Sequence, residues 1–327
     1  MISYQDILHR TVTTTEYLNL EAEKKHFVKR FWRFFFIFLS LFLASIGVPF
    51  LLQLQEWHVW SILLGSLFFI TTVIVLGVMY SRFYSKLKIT FKQTIIPMLL
   101  REFDSRLSYF PNLSMLDAYY ESKLYNTRVD RYRAEDTVVA TFDKTTFSFG
   151  EILTEYKTVS TDSKGRRTEQ WHTIFFGVMF KSDFNKHFQA ETVIDYDNME
   201  RLFGKFGRKF QALNSSRAGK LIQLENPEFE KNFAVYSTDE QECRYILSFS
   251  LMERLLSLKT KLNYRFSLSF LQNHLYMAIS TRKNLFEPTV FGKILTEKDV
   301  QELLTMIDAM TQIIEELNLN TRIWTKE

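Results

Sequence analysis

FFFIFLSLFLASIGVPFLLQL at residues 34–54 and VWSILLGSLFFITTVIVLGVMY at residues 59–80 decide how the rest of the chain is read. Neither block carries a charged side chain. At 1.5 Å rise per residue, their 21 and 22 residues match the roughly 30 Å hydrocarbon core of a bilayer. Only Gln55-Glu56-Trp57-His58 separates them, so the pair is expected to form a tight transmembrane hairpin of two helices. A cleaved signal peptide is disfavoured for the first block. Its apolar run exceeds the roughly 7–15 residues of a signal core, and a second span follows at once.

The flanks predict orientation. Arg10, Lys24, Lys25, Lys29, Arg30 and Arg33 precede the first block, and Arg82, Lys86, Lys88 and Lys92 follow the second, while the connection has no lysine or arginine. The excess of basic residues stays on the cytoplasmic side. The expected location is therefore the cytoplasmic (inner) membrane, with both termini cytoplasmic. Trp57 and Trp60 mark the expected outer interface, and Trp32, Tyr80 and Tyr84 the inner one.

The overall mean hydropathy of −0.12 averages these blocks with an ordinary polar domain. A net charge of +4 is too small for a dedicated nucleic-acid binder, and no nucleic-acid partner is expected. The single cysteine, Cys243, excludes an internal disulfide and a cysteine-built metal cage. Ten glycines in 327 residues, with no glycine-rich strand-to-helix turn, argue against a nucleotide enzyme, because phosphate loops spend glycine.

Along the chain, residues 1–33 read as a cytoplasmic helix weakened at Thr13–Thr15, since β-branched residues are poor helix formers. Residues 34–80 form the hairpin, and residues 81–125 read as juxtamembrane helices. There Ile95, Ile96, Leu99, Leu100, Phe103 and Leu107 fall on one side, Pro97 interrupts the pattern, and Phe110-Pro111-Asn112 ends it. Strand alternation begins near residue 126. A hairpin is predicted around Asp143-Lys144, and a turn at Asp162-Ser163-Lys164-Gly165 joins two longer strands. Ile174-Phe175-Phe176-Gly177-Val178-Met179-Phe180 is apolar on both faces and is expected to be a central strand.

Residues 192–195 read as a short strand and 198–210 as a helix. Strands at 220–224 and 233–236 follow, then helices at 239–247 and 251–258. A hairpin at 264–280 is predicted to turn at Gln272-Asn273. Thr296-Glu297-Lys298-Asp299 resembles a capping box before Val300, Leu303, Ile307, Met310, Ile314 and Leu317, spaced at threes and fours. The expected fold is α+β: the membrane hairpin, then a cytosolic antiparallel-sheet-rich domain over 126–327 ending in an amphipathic helix. A division into lobes 126–211 and 212–327 is the alternative.

The runs Asp130-Arg131-Tyr132-Arg133-Ala134-Glu135-Asp136, Phe147-Ser148-Phe149-Gly150-Glu151-Ile152, Trp171-His172-Thr173-Ile174-Phe175 and Asn226-Pro227-Glu228-Phe229-Glu230 carry a resemblance to a bacterial family of membrane proteins, domain-of-unknown-function family 3137. The likeness spans roughly residues 80–327. It implies a paired-helix anchor with a cytosolic domain, and a protein partner of the LemA membrane-protein type. It implies no catalytic residues.

Two constellations stand out. Glu151, His172 and Asp183, with His187 and Glu169 nearby in sequence, offer imidazoles and carboxylates for acid/base chemistry. No metal-ligand spacing accompanies them, so no metal site and no cofactor are expected, and a histidine bonded within the sheet edge is the plainer reading. Lys205, Arg208, Lys209, Arg217 and Lys220, unopposed by acids, form a candidate contact for anionic lipid, against the plainer reading of a solvated helix face. The function these features support is a non-catalytic interaction or scaffold domain within a membrane-associated complex. The alternative is a membrane-anchored enzyme working around Glu151, His172 and Asp183.

Overall fold

A computed structural model of the protein describes residues 4–51, 58–142, 145–196, 219–262 and 264–322. The chain divides into two compact units, one of residues Met1–Glu102 with Glu287–Glu297, the other of Phe103–Phe286 with Lys298–Glu327.

In the first unit, helix α1 (Tyr4–Val12) is followed by the 37-residue α2 (Thr15–Leu51) and the 33-residue α3 (His58–Thr90). The break at Thr13-Thr14 falls where β-branched residues weaken the helix: their hydroxyls bond back to the carbonyls of His9, Arg10 and Thr11. The two long helices run antiparallel. Phe27 stacks on Phe83 at 3.9 Å, Phe38 meets Phe68 at 5.6 Å, and Phe42 meets Phe69 at 5.3 Å. Both are long and apolar enough to cross a membrane. Among the described residues, many of their apolar side chains face outward: Leu43 is 60% exposed, Leu64 60% and Ile74 58%.

After α3 the chain takes one π-helical turn, Phe91–Ile95, before α4 (Ile96–Phe103). Pro97 explains the turn. It has no N–H to give the carbonyl of Gln93, and its ring would press on that carbonyl in an α-helix, so the helix widens just ahead of it. Helical structure ends at Phe103. The expectation that it continues to Phe110 is corrected, because Ser108–Phe110 is strand β1.

Among the described residues, the second unit is α+β and every strand pairing is antiparallel. After β1 come helix α5 (Leu116–Glu121) and strands β2 (Arg131–Phe142), β3 (Thr145–Thr161) and β4 (Arg167–Tyr196). Strand β5 (Lys220–Ile222), helix α6 (Pro227–Glu230), strand β6 (Phe233–Ser237), helices α7 (Glu240–Ile246) and α8 (Phe249–Leu262), strand β7 (Arg265–Ser280) and helix α9 (Glu297–Arg322) complete it. Asn226 and Asp239 cap α6 and α7 with their side-chain oxygens. Among the described residues, seven strands form one sheet in the order β1-β2-β3-β4-β6-β5, with β7 also paired to β4.

Strand β4 is the spine, as its apolar run predicts. One edge pairs with β3 and then β6, the other with β7. Phe175, Val178, Met179 and Phe180 are buried. The expected strand at 192–195 proves to be the far end of β4. The predicted hairpin at Gln272-Asn273 is also corrected. β7 runs unbroken from Ile194↔Leu268 to Val178↔Ile279, and the positive φ of Gln272 (54°) is taken up by register shifts opposite residues 183–192. In α9, Val300, Leu303, Leu304, Ile307, Met310, Ile313 and Ile314 are buried, so its stripe is a packing face. The helix expected over 198–210 and the turn residues Asp143-Lys144 lie outside the described residues.

Gly177 makes the tightest fit in the spine. A Cβ there would lie 1.9 Å from the carbonyl oxygen of Ile279 and 2.9 Å from the amide nitrogen of Thr281, both backbone atoms. Gly177→Ala is therefore expected to destabilise the second unit by about 3 kcal/mol or more. Gly165→Ala, at a φ of +77° with nothing within 4 Å, costs only the strain of a left-handed residue, about 1–2 kcal/mol. Thermal unfolding of the full-length variants in detergent, followed by β-sheet circular dichroism, checks the order.

Candidate functional site

β2 covers β3 only as far as Arg131↔Glu155, and β7 covers β4 only from Val178↔Ile279. Beyond those limits, residues 156–161 and 167–172 pair only with each other among the described residues. They form a two-stranded ribbon about 20 Å long at roughly 3.3 Å per residue. Its tip is preorganised. The carboxylate of Asp162 accepts the amides of Lys164 (2.8 Å) and Arg166 (2.9 Å), and Gly165 supplies the left-handed residue.

One face of the ribbon carries Lys157, Trp171, Val159, Glu169 and Arg167 as cross-strand partners. Trp171 is capped by the Arg131 guanidinium, 3.9 Å from the ring centroid, and Lys157 pairs with Glu169 at 3.1 Å. Val159 is 52% exposed. On the other face His172 stacks on Tyr156 with centroids 4.9 Å apart, and its Nε2 lies 2.8 Å from the Thr158 hydroxyl. Exposed Trp and Arg are the residue types that anchor protein interfaces.

The three residues of the enzymatic alternative do not converge. His172 and Asp183 lie eleven residues apart along β4, roughly 35 Å at strand rise. Glu151 pairs opposite Val178 between them, where its carboxylate is buried and accepts the Leu285 amide. It anchors the chain that follows β7. Among the described residues, no group of three or more His, Cys, Asp or Glu is placed to hold a metal ion. Cys243 is fully buried, and burial pushes its thiol up to about 11. The side chain of His187, together with Lys205, Arg208, Lys209 and Arg217, lies outside the described residues; Lys220 opens β5 and is exposed.

Asp183 faces a different histidine. Its cross-strand partner is His274, with Lys181 and Tyr276 paired two residues on. Glu121, at the end of α5, accepts from Lys181 Nζ at 2.6 Å and from the Tyr276 hydroxyl at 3.0 Å. The Lys181 bond holds the Glu121 carboxyl below its usual value. Burial, then the Lys181 charge, holds His274 below its usual value, while Glu121 and Asp183 act in the opposite sense. Only the register of β7 against β4 brings these groups together, and nothing in the spacing of 181, 183, 274 and 276 announces it.

The first unit carries a second organised region. Glu287 accepts from Tyr84 and Lys88, each at 2.8 Å. Phe291 stacks on Tyr80 at 5.9 Å and lies 5.7 Å from Phe31. Lys24, 4% exposed, bonds Glu21 at 2.8 Å and the Gly292 carbonyl, while Glu21 also accepts the Ile294 amide at 3.2 Å. Glu297 accepts from Gln5 at 2.7 Å. Residues 287–297 thus clasp the charged ends of α2 and α3.

Residues 173–319 match the model of a family described as a protein of unknown function (DUF3137). No curated protein and no solved structure matches the chain.

The Lys181–Glu121–His274 cluster gives a pH signature. Because His274 titrates below its usual 6.5 when folded, the unfolded chain takes up the proton first, and stability falls as pH drops from about 6.5. The depressed Glu121 adds a further loss below its usual 4.5. His274→Gln is expected to flatten the decline between pH 7 and 5.5 while leaving the loss below pH 4.5 in place. Melting temperatures against pH for both proteins check it.

Proposed function

We propose that the chain is an integral protein of the cytoplasmic (inner) membrane with both termini cytoplasmic. It presents its second unit as a non-catalytic interaction or scaffold domain of a membrane-associated complex. The observation that carries the interaction reading is the ribbon of residues 156–172. It is preorganised at its tip, has no strand beside it on either edge among the described residues, and holds Trp171 against Arg131 beside exposed Val159. An arm ordered before binding loses little entropy when a partner docks.

The membrane reading rests on the many exposed apolar side chains of α2 and α3, and on the lysines and arginines that flank only one end of the pair. The family resemblance makes a LemA-type membrane protein the first partner to test.

Two outcomes are expected. Reporter fusions in the 52–58 connection read as external and fusions at Met1 and Glu327 as cytoplasmic; a C-terminal fusion active only outside the cytoplasm contradicts the orientation. A photo-crosslinking residue at Val159 in native membranes captures a discrete protein, whereas the same residue at exposed Leu113 does not. Trp171→Ala then weakens that partner's binding by about thirtyfold, the effect of losing one strong anchor, with the melting temperature unchanged. Identical capture at both positions, or no effect of Trp171→Ala, refutes the ribbon as the docking element.

A further inference from the structure

A cavity of about 740 Å³ opens between α1, α2 and the 287–297 clasp, a volume in the range that holds a small amphiphile. Its walls are divided in character: Val28, Val290 and Leu295 supply apolar surface, and Lys25, Lys29 and Lys293 supply cationic heads. The two glutamates that also line it are engaged. Glu21 takes Lys24 and the Ile294 amide, and Glu297 takes Gln5. Lys25, Lys29 and Lys293 have no hydrogen-bond or ion-pair partner among the described residues. Lys25 still feels the Glu21 carboxylate through space, so the cavity holds three ammonium groups outside any direct ion pair beside an apolar wall, the complement of an anion with a hydrocarbon tail.

Its height along the helices selects the source of that anion. Lys29 lies five residues ahead of the apolar block that starts at Phe34, about 7.5 Å at helical rise. The headgroup layer of a bilayer adds roughly 5–7.5 Å to each side of the hydrocarbon core, which puts Lys29 at its outer edge and Lys25, nine residues ahead of Phe34 at about 13.5 Å, beyond it. Lys293 is held at the level of Lys29. It is two residues from Phe291, whose ring lies 5.9 Å from Tyr80 and 6.3 Å from Trp32, the aromatic residues at the inner end of the spans. We propose that this cavity binds the headgroup and glycerol region of an anionic phospholipid, with Lys29 and Lys293 contacting the phosphate and Lys25 adding positive charge farther from the hydrocarbon. The assignment rests on the membrane reading of α2 and α3.

The test uses the full-length protein in neutral detergent. Native mass spectrometry follows titration with phosphatidylglycerol, with phosphatidylcholine of the same acyl chains, and with inorganic phosphate. Phosphatidylglycerol is expected to bind at least about tenfold more tightly than phosphatidylcholine, and the combined change K25Q, K29Q and K293Q to remove that preference, each lysine contributing about fivefold near the surface. The lipid-free melting temperature of the variant should stay unchanged, since exposed charges contribute little to folding. A control changing Arg30, Arg33 and Arg82 to Gln keeps the same net charge outside the cavity and should retain the preference. Equal binding of the two lipids overturns the proposal, as does a control variant that loses the preference equally, or inorganic phosphate binding as tightly as phosphatidylglycerol. A protein that stays soluble and monodisperse without detergent contradicts the membrane reading itself, whatever the titration gives.

Discussion

The outward surfaces of α2 and α3 are the constraint on which the rest of the first unit depends. Leucine, isoleucine and phenylalanine side chains on both helices, among them Phe36, Leu43, Leu64 and Ile74, are more than half exposed. Only helices and closed barrels satisfy their own backbone in hydrocarbon, so a bilayer both requires and rewards this geometry. On the proposed membrane reading, the charged extensions on one end of the pair are then organised in water. That is done by a distant part of the sequence: Glu287 on Lys88 and Tyr84, Phe291 among Phe31 and Tyr80, and Gly292 on buried Lys24. Lys24 is buried but compensated, the condition under which an interior charge is tolerable.

The second unit depends on a different constraint, the length of β4. A single 30-residue strand borders three others, so its two edges fix the register of most of the sheet. Where the backbone at Ile279 and Thr281 crosses close to it, the strand uses Gly177. Where β3 and β4 outrun their neighbours, they leave the ribbon with Trp171. Core and arm are consequences of one strand being longer than those beside it.

Much of this was legible in the sequence because it is local. The two charge-free blocks, the weak point at Thr13-Thr14, the two-faced apolar run at 174–180, the turn at Asp162–Gly165 and the buried stripe of the last helix each follow from spacing and side-chain chemistry within a short window. What was not legible depends on register. Gln272-Asn273 reads as a turn, yet β4 is long enough to pair on both sides of it and reduces it to a bulge. The histidine across from Asp183 is His274, ninety-one residues away, and only strand pairing sets that choice. Nor does any local pattern mark residues 287–297 for the helical unit, since Phe291 and Glu287 look like ordinary loop residues until Tyr80 and Lys88 are placed beside them.

The membrane environment of α2 and α3 is the claim most directly open to measurement. Single nitroxide labels at Leu43 and Ile70, in a Cys243→Ala background of the full-length protein reconstituted in liposomes, report what surrounds those exposed positions. With a third label at Val159 for comparison, collision rates with oxygen and with a water-soluble nickel chelate separate lipid from water. Leu43 and Ile70 should be accessible to oxygen and closed to the chelate, while Val159 should be open to the chelate and show a lower ratio of oxygen to chelate collisions. Ready access of the chelate to Leu43 and Ile70 would contradict a membrane environment.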